Sequence, residues 1–456
     1  MRTFLILILL IISSQIANSQ MFLSEGGKID DFKNEIIPDT FNLKVSLPVQ
    51  AIDSGYGLSK VCINISHERI SDLKIELIAP DATRTWLTNR NGGEESDLYF
   101  NTCFSTYGFS GYIHQGKYPY TGEYIPDGRL ELVNNGQNPN GIWKIIVTDL
   151  RSNMTGSLNF FSLSFENNPN PGYGNPPCSE NNPAACACPD GKAPCNLLPD
   201  LVILESFTNA QIEEFPWNHP DFPGQIRFAA TIANIGTGPM EIFGLNKWFC
   251  GDKEVDFESK CENGEDPRQN LVQRVYRLDS SSQIIKEDIH AGTNYFDRKP
   301  GHNHYHVDDW VEFRLLKEKQ SKSKLVSEGR KISYCLFDTG ICNNPFDSLC
   351  FTNGKNYSKG NLINYGFGEF TDCKFDHQGI SVGGYDTYGY MYEGQYLKLP
   401  KRLKPGFYIL EIEIDPEKKY LEADRTNNTF RKKVFISKQK NDSDEILERK
   451  IFWLDF

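Results

Sequence analysis

The sequence predicts an all-β protein of two β-sandwich domains joined by a linker. Short alternating runs such as LKIELIAP (73–80) and IWKIIVTDL (142–150) are separated by Asn/Gly-rich turns. In FYILEIEID (407–415), every second residue from Tyr408 to Ile414 is apolar and two of the three between are glutamate, which is the period of a half-buried strand. We find no long stretch with the period of an amphipathic helix.

A change of composition divides the chain at residues 167–195. This stretch begins with NNPNPG and is rich in Pro, Asn and Gly, which favour turns and linkers. The predicted organisation is a signal peptide (1–19), an N-terminal segment (20–41), a first sandwich (42–166), the linker (167–195), a second sandwich (196–437) and a C-terminal tail (438–456).

The first 19 residues have the features of a secretory signal peptide. The apolar run from Phe4 to Ile12 follows a basic start and is too short to cross a bilayer, and Ala17-Asn18-Ser19 forms a small-x-small cleavage pattern. No later segment approaches about 18 uninterrupted apolar residues. The sequence therefore predicts a soluble, exported protein without a transmembrane segment.

The chain is acidic, with a formal net charge of −12 and a pI near 5.3. Nucleic-acid phosphates would be repelled, so the charge argues against a nucleic-acid partner. The same field favours cationic partners such as amines and lysine side chains, although acidity often serves solubility alone.

Twelve cysteines in a chain predicted to be exported indicate disulfides. Four of them lie in the linker: Cys178, Cys186, Cys188 and Cys195. Their spacing leaves a zinc site open as an alternative, but export favours a linker stapled by disulfides.

Six motifs characterise the first sandwich. Residues 42–166 contain, in order, VCINISHERISDLKIELIAPD, LTNRNGG, NTCF, YPYTGEYIPDGRLEL, NGIWKIIVTD and GSLNFFSLSF. They resemble the P domain, or Homo B domain, that follows the catalytic unit of subtilisin-like proprotein convertases. The resemblance implies a jelly-roll sandwich that stabilises or targets its neighbour, and the many short strands and turns agree with this fold. His67 lies within the family's own pattern and is expected to be structural.

The stretch GHNHYHVDD (301–309) places His302, His304 and His306 inside five residues of a chain with only eight histidines. On a strand the three side chains share one face, because successive residues point to opposite sides. Three neighbouring imidazoles repel one another when protonated, so a bound metal ion explains the spacing better than surface histidines or an adventitious metal tract. The residues alone leave Zn(II), Cu(II), Fe(II) and Ni(II) open.

Further motifs accompany the histidines. LLPDLV (197–202) precedes GHNHYHVDDWVEFRLL, which is followed by SEGRKISYCLFDT, HQGISVGGYDTY, LKPGFYILEIEIDP and YLEADRTNNTF. Across residues 196–437 this succession resembles the lysyl oxidase catalytic domain. The resemblance implies that the three histidines bind copper and that Lys331 and Tyr388 are cross-linked into lysine tyrosylquinone.

The implied chemistry explains these residue types. Copper and O2 oxidise the Tyr388 phenol, and the neutral Lys331 amine, its pKa lowered by burial or positive charge, adds to the ring. The quinone then converts a primary amine to an aldehyde and releases hydrogen peroxide and ammonia. Asp386 is a candidate base for the substrate's α proton, since it shares a strand face with Tyr388, but orienting a histidine or binding a backbone amide are alternatives. Asp308 and Asp309 are candidate acceptors for imidazole N–H groups.

An oxygen-rich segment, LEADRTNN (421–428), suggests a second metal. Glu422, Asp424, Asn427 and Asn428 offer the carboxylate and amide oxygens that calcium prefers. The resemblance implies that Asp200 and the carbonyl of Leu201 complete a structural calcium site. The alternative is an Asx-rich turn, and a glycan on the N-x-T sequon that begins at Asn427 would conflict with metal binding.

The chain departs from the family at two cysteine positions. Many members carry a cysteine just before the first copper ligand and another just before Y-D-T-Y, where this chain has Gly301 and Gly384. Cys373, the usual partner of the first, is therefore expected to take a new one. The expected disulfides are Cys350–Cys373, Cys250–Cys261 and Cys335–Cys342, among the fifteen arrangements that six cysteines allow.

Together these features predict a secreted, copper-dependent amine oxidase of lysyl oxidase type behind a P-domain sandwich. The acidic charge favours peptidyl lysine in extracellular proteins as the substrate, with small primary amines as the close alternative. Two further hypotheses stay open. One is an adhesive or metal-binding surface protein with an inactive oxidase domain, and the other is a zinc hydrolase that uses the three histidines.

Overall fold

The computed structural model describes residues 19–32, 37–93, 96–169, 178–298, 304–319, 322–342, 350–352, 354–437 and 439, without the side chains of 319, 322 and 328–331. The predicted signal peptide before Ser19, residues 299–303 with His302 and Gly301, and the C-terminal tail except Gln439 lie outside this description. Within the described ranges, none of the helices has the length and apolar character needed to cross a membrane.

The first domain is a sandwich of two sheets. Its strands are β1 (Gln20–Ile29), β2 (Asp39–Val45), β3 (Tyr56–His67), β4 (Leu73–Ile78), β5 (Arg84–Asn89), β6 (Leu98–Phe104), β7 (Gly122–Tyr124), β8 (Gly141–Asp149) and β9 (Gly156–Asn167). One sheet has the order β1-β9-β3-β6-β7 and the other β2-β8-β4-β5. Fully buried side chains of both sheets, among them Ile63, Leu77 and Trp143, form one core.

Residues before position 42 contribute strands to this sandwich, because β1 pairs with β9 and β2 with β8. His67 ends β3 in a buried position. Its Nδ1 lies 2.9 Å from the Arg69 carbonyl oxygen and its Nε2 3.4 Å from Asp149 Oδ2. These contacts fit the structural role predicted for this histidine.

The second domain is also built from strands. They are β10 (Cys195–Leu197), β11 (Leu201–Ile203), β12 (Ile212–Phe215), β13 (Gln225–Phe228), β14 (Ala230–Asn234), β15 (Met240–Cys250), β16 (Lys253–Val255), β17 (Arg268–Leu278), β18 (Ile284–Asp297), β19 (His304–Lys319), β20 (Lys322–Tyr334), β21 (Gly340–Ile341), β22 (Phe351–Thr352), β23 (Lys355–Asn356), β24 (His377–Ile380), β25 (Gly384–Tyr388), β26 (Tyr396–Lys398), β27 (Gly406–Ile414) and β28 (Thr429–Ile436).

Helices are short throughout the described chain. They are α1 (Glu205–Ala210) and the 3₁₀ turns Ile70–Asp72, Ile113–Gln115, Leu130–Val133 and Pro183–Ala185. The all-β prediction is therefore confirmed.

One large sheet organises the second domain around β19. Its order is β16-β15-β17-β18-β19-β27-β28, with β10 on β17, β20 on β19 and β24 on β15. Smaller sheets, β11-β14-β25-β21 and β12-β13-β26, share its core, in which Phe228, Phe313 and Leu410 are fully buried. The predicted half-buried strand is β27, and its alternate residues from Tyr408 to Ile414 are buried as expected.

All twelve cysteines form disulfides. The pairs are Cys62–Cys103, Cys178–Cys186, Cys188–Cys195, Cys250–Cys261, Cys335–Cys373 and Cys342–Cys350. The disulfide-stapled linker and the Cys250–Cys261 bridge are confirmed. The predicted pairs Cys335–Cys342 and Cys350–Cys373 are wrong.

Backbone contacts explain the corrected pairs. The residues that follow β20 run beside β24, where the Gly379 N–H donates to the Leu336 carbonyl at 3.0 Å, and this brings Cys335 to Cys373. Residues beyond Cys350 return to Cys342, where the Lys359 N–H donates to the Cys342 carbonyl at 2.8 Å, and this brings Cys350 to Cys342.

Candidate active site and metal centre

Two of the predicted copper ligands come together at the start of β19. In its register with β18, His304 lies opposite Asp297 and His306 opposite Tyr295. The Nε2 atoms of His304 and His306 are 2.8 Å apart, and their ring centroids are 4.7 Å apart. The two alternate residues therefore share one face, as their spacing predicts, and His306 is only 2% exposed.

This spacing fits a shared metal ion. Imidazole nitrogens this close together could bind one ion, and imidazole is a ligand that suits zinc, copper, iron and nickel alike. The third predicted ligand, His302, lies outside the described residues, and within them no group of three or more His, Cys, Asp or Glu side chains is placed to hold a metal.

The carboxylate that approaches the histidine pair comes from β18. Asp297 Oδ2 lies 3.7 Å from His306 Nδ1, and the Asp297 side chain is 5% exposed. The two aspartates proposed from the sequence have other contacts. Asp308 accepts a hydrogen bond from Thr293 at 2.8 Å and pairs with Arg268, whereas Asp309 pairs with Lys419 at 3.1 Å.

Strand β20 carries Lys331 alongside β19. The backbone of Lys331 lies opposite Glu312, and Tyr334 lies opposite Val307, the residue after His306. The side chain of Lys331 lies outside the described part of the molecule, so its approach to Tyr388 remains a prediction.

Tyr388 ends β25 with its ring buried against β20. Its ring is parallel to that of Tyr334 at 3.7 Å, and its Oη accepts a hydrogen bond from the Cys335 N–H at 2.7 Å. Burial, and then the Asp386 carboxylate, raise the pKa of the Tyr388 phenol well above its usual range. The β19–β20 hairpin thus connects the histidine pair to the candidate cofactor tyrosine through Val307 and Tyr334.

Asp386 lies two residues earlier on β25 and is fully buried. Neither of its carboxylate oxygens has a hydrogen bond of normal geometry to a described residue, since the Thr387 N–H donates to Thr339 Oγ1 instead. Burial, and then the Asp338 carboxylate, raise the pKa of Asp386 well above its usual range. A buried carboxyl with a raised pKa on the strand that ends in the candidate cofactor tyrosine is a candidate proton acceptor.

The structure also brings together residues from both segments of the predicted calcium site, Asp200, Leu201, Glu422, Asp424, Asn427 and Asn428. The Leu201 N–H donates to Glu422 Oε2 at 3.0 Å, and Asn428 Nδ2 donates to Glu422 Oε1 at 2.8 Å. Asn427 Nδ2 donates to Asp200 Oδ1 at 2.7 Å. Asp424 caps the turn by accepting from the Thr426 N–H and hydroxyl.

Two features of this cluster suit an oxygen-seeking cation. The Oδ1 atoms of Asn427 and Asn428 are buried and lack a hydrogen bond to any described residue. Burial also raises the pKa of Glu422 to about 7. Carboxylate and amide oxygens are the ligands that calcium prefers. This geometry fits both an Asx-rich turn and a calcium site, so the metal itself stays a prediction.

A cavity of about 210 Å³ lies where the two domains meet. The first domain lines it with Asn91 and His114, and the second with Gln211, Glu213 and Tyr390. Gln211 Oε1 accepts a hydrogen bond from the Tyr390 N–H at 3.1 Å, two residues beyond Tyr388. The first domain therefore lines a space beside the segment that carries the candidate cofactor tyrosine.

Family comparison matches two regions of the chain. Residues 59–165 match the proprotein convertase P-domain model, and residues 289–443 match the lysyl oxidase model. Residues 289–443, largely within the second domain, are thus similar to the lysyl oxidase domain of other proteins. The match to this domain begins in β18, and β10–β17 complete the sheets to which it belongs. Both resemblances inferred from the motifs are confirmed, in the predicted order.

Relatives of the lysyl oxidase domain include two human proteins. Protein-lysine 6-oxidase is 32% identical over 131 residues, which are 28% of this chain and 25% of the relative. Lysyl oxidase homolog 1 is 34% identical over 131 residues, 28% of this chain and 18% of the relative. The chain thus spans about a quarter or less of these relatives. A solved serine protease of Aeromonas sobria with its chaperone matches 32% of this chain and 27% of its own at 17% identity and a TM-score of 0.17, which supports no conclusion.

The sequence motifs do not indicate two residues of this site, Asp297 and Tyr334. Asp297 precedes the histidines by several residues, and only the β18–β19 register brings it beside them. Tyr334 sits three residues after Lys331 in KISY, and its neighbour on β19 is likewise set by pairing. The local sequence carries no signal for Asp297, because its position beside the histidines is set by the pairing of β18 with β19.

Proposed function

We propose that the protein is a secreted copper amine oxidase whose cofactor is a lysine tyrosylquinone made from Lys331 and Tyr388. The observation that carries the proposal is the convergence of His304 and His306 at the hairpin that holds Tyr334 against Tyr388. The lysyl oxidase match and the protein-lysine 6-oxidases among the relatives support the same chemistry. The N-terminal apolar segment and the disulfides support export.

The histidines and the tyrosine fit the copper ion and the quinone cofactor that this chemistry requires. His304 and His306, with His302, would hold copper, which with O2 would generate from Tyr388 and Lys331 a quinone able to turn primary amines into aldehydes, hydrogen peroxide and ammonia. The protein itself fixes the reacting ring. The Cys335 N–H holds the phenol oxygen and Tyr334 covers one face.

Asp386 is proposed as the base that takes the substrate's α proton. It is buried on the strand that ends in Tyr388, and none of the described residues forms a hydrogen bond of normal geometry with its oxygens. Because its pKa is raised, the carboxylate is a stronger base than an exposed aspartate, which suits removal of a weakly acidic proton. The alternative roles proposed from the sequence stay open, since the Thr387 N–H lies close enough to lower the pKa of Asp386 against the larger effect of burial.

The proposed substrate is the lysine side chain of an extracellular protein, with small primary amines as the alternative. The net charge of −12 favours a cationic substrate. In the cavity between the domains, the Glu213 carboxylate and two amide side chains lie beside the segment that follows Tyr388. We also propose that the cluster around Glu422 binds calcium in a structural role.

Copper loading of the purified protein tests the proposal. The loaded protein should gain a quinone absorbance band and release peroxide when a lysine-containing peptide or n-butylamine is added. Lys331→Arg and Tyr388→Phe should abolish both signals with the fold retained in circular dichroism. Tyr408→Phe is the matched control, because Tyr408 is a buried tyrosine of the same core whose hydroxyl donates to Lys404.

Other results would favour the other hypotheses. Copper-loaded protein with neither quinone nor peroxide would refute the oxidase and favour a binding protein. Zinc retained in preference to copper, together with amine-independent hydrolysis, would favour a hydrolase. Comparing peptide and free amine by kcat/KM decides between the two substrate classes.

A further inference from the structure

Two consecutive residues of the second domain, Phe337 and Asp338, contact the first domain. The Trp86 ring packs edge-on against Phe337, with 4.8 Å between centroids. Arg129 Nη1 donates to Asp338 Oδ2 at 3.1 Å, with the two side chains 6% and 0% exposed. Asp338 follows the end of β20 by four residues, so these contacts lie next to the candidate active site.

The first domain holds Arg129 in place through its own backbone. The Gly128 N–H donates to the Trp86 carbonyl at 3.0 Å, which sets the arginine beside β5. A Cβ at Gly128 would lie only 2.7 Å from the Trp86 nitrogen, so this close approach requires glycine. Arg129 Nε donates to Glu131 at 2.8 Å, which orients the guanidinium toward Asp338.

Asp338 in turn braces the segment that leads into β25. Its Oδ1 accepts from the Ser381 N–H at 2.9 Å, and its Oδ2 accepts from the Ser381 hydroxyl at 2.8 Å. A Cβ at Gly384 would overlap the Asp338 carboxylate, so the carboxylate occupies the space that a cysteine side chain there would need.

The next residue, Thr339, forms hydrogen bonds with the backbone of β25. Thr339 Oγ1 donates to the Tyr385 carbonyl at 3.0 Å and accepts from the Thr387 N–H at 2.9 Å. These two contacts flank Asp386, and Tyr388 follows them directly. A separate aromatic contact supports the same strand, since Tyr112 of the first domain packs 6.1 Å from Tyr385 and 5.2 Å from Phe207.

We propose that Arg129 is a positioning residue for the oxidase site, and that the first sandwich is an integral part of the catalytic unit rather than a detachable targeting module. This inference rests on the proposed function. Arg129 neutralises a fully buried carboxylate, and without it Asp338 is left as an uncompensated buried charge. The hydrogen bonds that Ser381 donates to Asp338 then shift, and β25 with Asp386 and Tyr388 moves with them.

The test uses the full-length, copper-loaded protein with Arg129→Met and Asp338→Asn. Arg151→Met is the matched control, because Arg151 makes a 2.7 Å ion pair with Asp221 across the same domain boundary but has no contact described with Asp338. Arg129→Met should raise amide hydrogen exchange in the peptide Ser381–Tyr388 and lower kcat about 10²-fold, the cost expected of roughly 1 Å of misplacement, with KM for a lysine-containing peptide unchanged. Arg129→Lys should restore part of kcat, and Arg151→Met should change neither readout.

Hydrogen exchange separates this inference from the proposed function. If the wild type releases no peroxide, the proposed function fails, but faster exchange in Ser381–Tyr388 for Arg129→Met still supports the brace. If Arg129→Met does not fold, Asp338→Asn removes the charge at constant volume and should show the same increase in exchange. Wild-type exchange and wild-type kcat in a folded Arg129 or Asp338 variant would overturn the inference.

Discussion

The ring of Tyr334 lies parallel to the ring of Tyr388, with 3.7 Å between centroids and 4° between planes. Removing this ring by Tyr334→Ala should lower the free energy of unfolding by about 3 to 5 kcal/mol, because a buried aromatic is lost and a cavity remains. The freed space should also let the Tyr388 ring rotate, so we expect less quinone per bound copper. Urea unfolding and the quinone absorbance measure the two effects.

Tyr334→Phe separates the stacked ring from its hydroxyl. The hydroxyl accepts a hydrogen bond from Gln395 Nε2 at 2.6 Å, so this variant loses one polar contact but keeps the ring. We expect it to form quinone as the wild type does. Equal quinone yields for the Ala and Phe variants would show that the stack does not position Tyr388.

Asp297 is predicted to tune the metal affinity of the histidine pair. Its carboxylate lies 3.7 Å from His306 Nδ1, where it can orient the ring and increase the basicity of the opposite nitrogen. Asp297→Asn should weaken copper binding about ten- to hundredfold in a competition titration with a chelator. Asp288→Asn is the control, since Asp288 lies on the same strand in an ion pair with Arg274. Equal copper affinities for the two variants would contradict the role of Asp297.

Asp386→Asn is predicted to separate quinone formation from amine oxidation. Without a base, kcat should fall roughly 10² to 10⁴-fold, while the quinone band forms as in the wild type. The raised pKa of Asp386 means that its contribution to stability is full at low pH and is lost as pH rises through the folded-state value. The variant should therefore lose less stability than the wild type as the pH is raised from acid values. Wild-type kcat in Asp386→Asn would exclude Asp386 as the base.

Local periodicity predicted those parts of the site that depend on one strand. His304 and His306 share a face because residues two apart on any strand do so. The same reasoning correctly placed the buried residues of β27. Asp297 was missed because its position beside His306 depends on the register between two strands, which alternation within one strand does not contain.

Long-range contacts were predictable only through resemblance, or not at all. The contact between Leu201 and Glu422 joins residues 221 apart, and nothing in either local sequence indicates it without the family motifs. The pairing of Cys335 with Cys373 depends on the residues after β20 running beside β24, and local spacing gave Cys335 the wrong partner. The Arg129–Asp338 pair joins two domains, so neither domain's motifs could predict it.

Glu422 should make stability depend on pH in opposite directions with and without calcium. Burial raises its pKa from 4.5 to about 7, so its stabilising contribution is full below pH 4.5 and is lost as pH rises through about 7. The loss is at most about 3 kcal/mol. Calcium competes with the proton, so the calcium-saturated protein should instead gain stability over this range.

Urea unfolding between about pH 5 and pH 8, with calcium or with EGTA, measures both slopes of stability against pH. Glu422→Gln should flatten the calcium-free slope and remove the calcium effect. Parallel profiles in both conditions would leave the cluster as a turn that binds no metal.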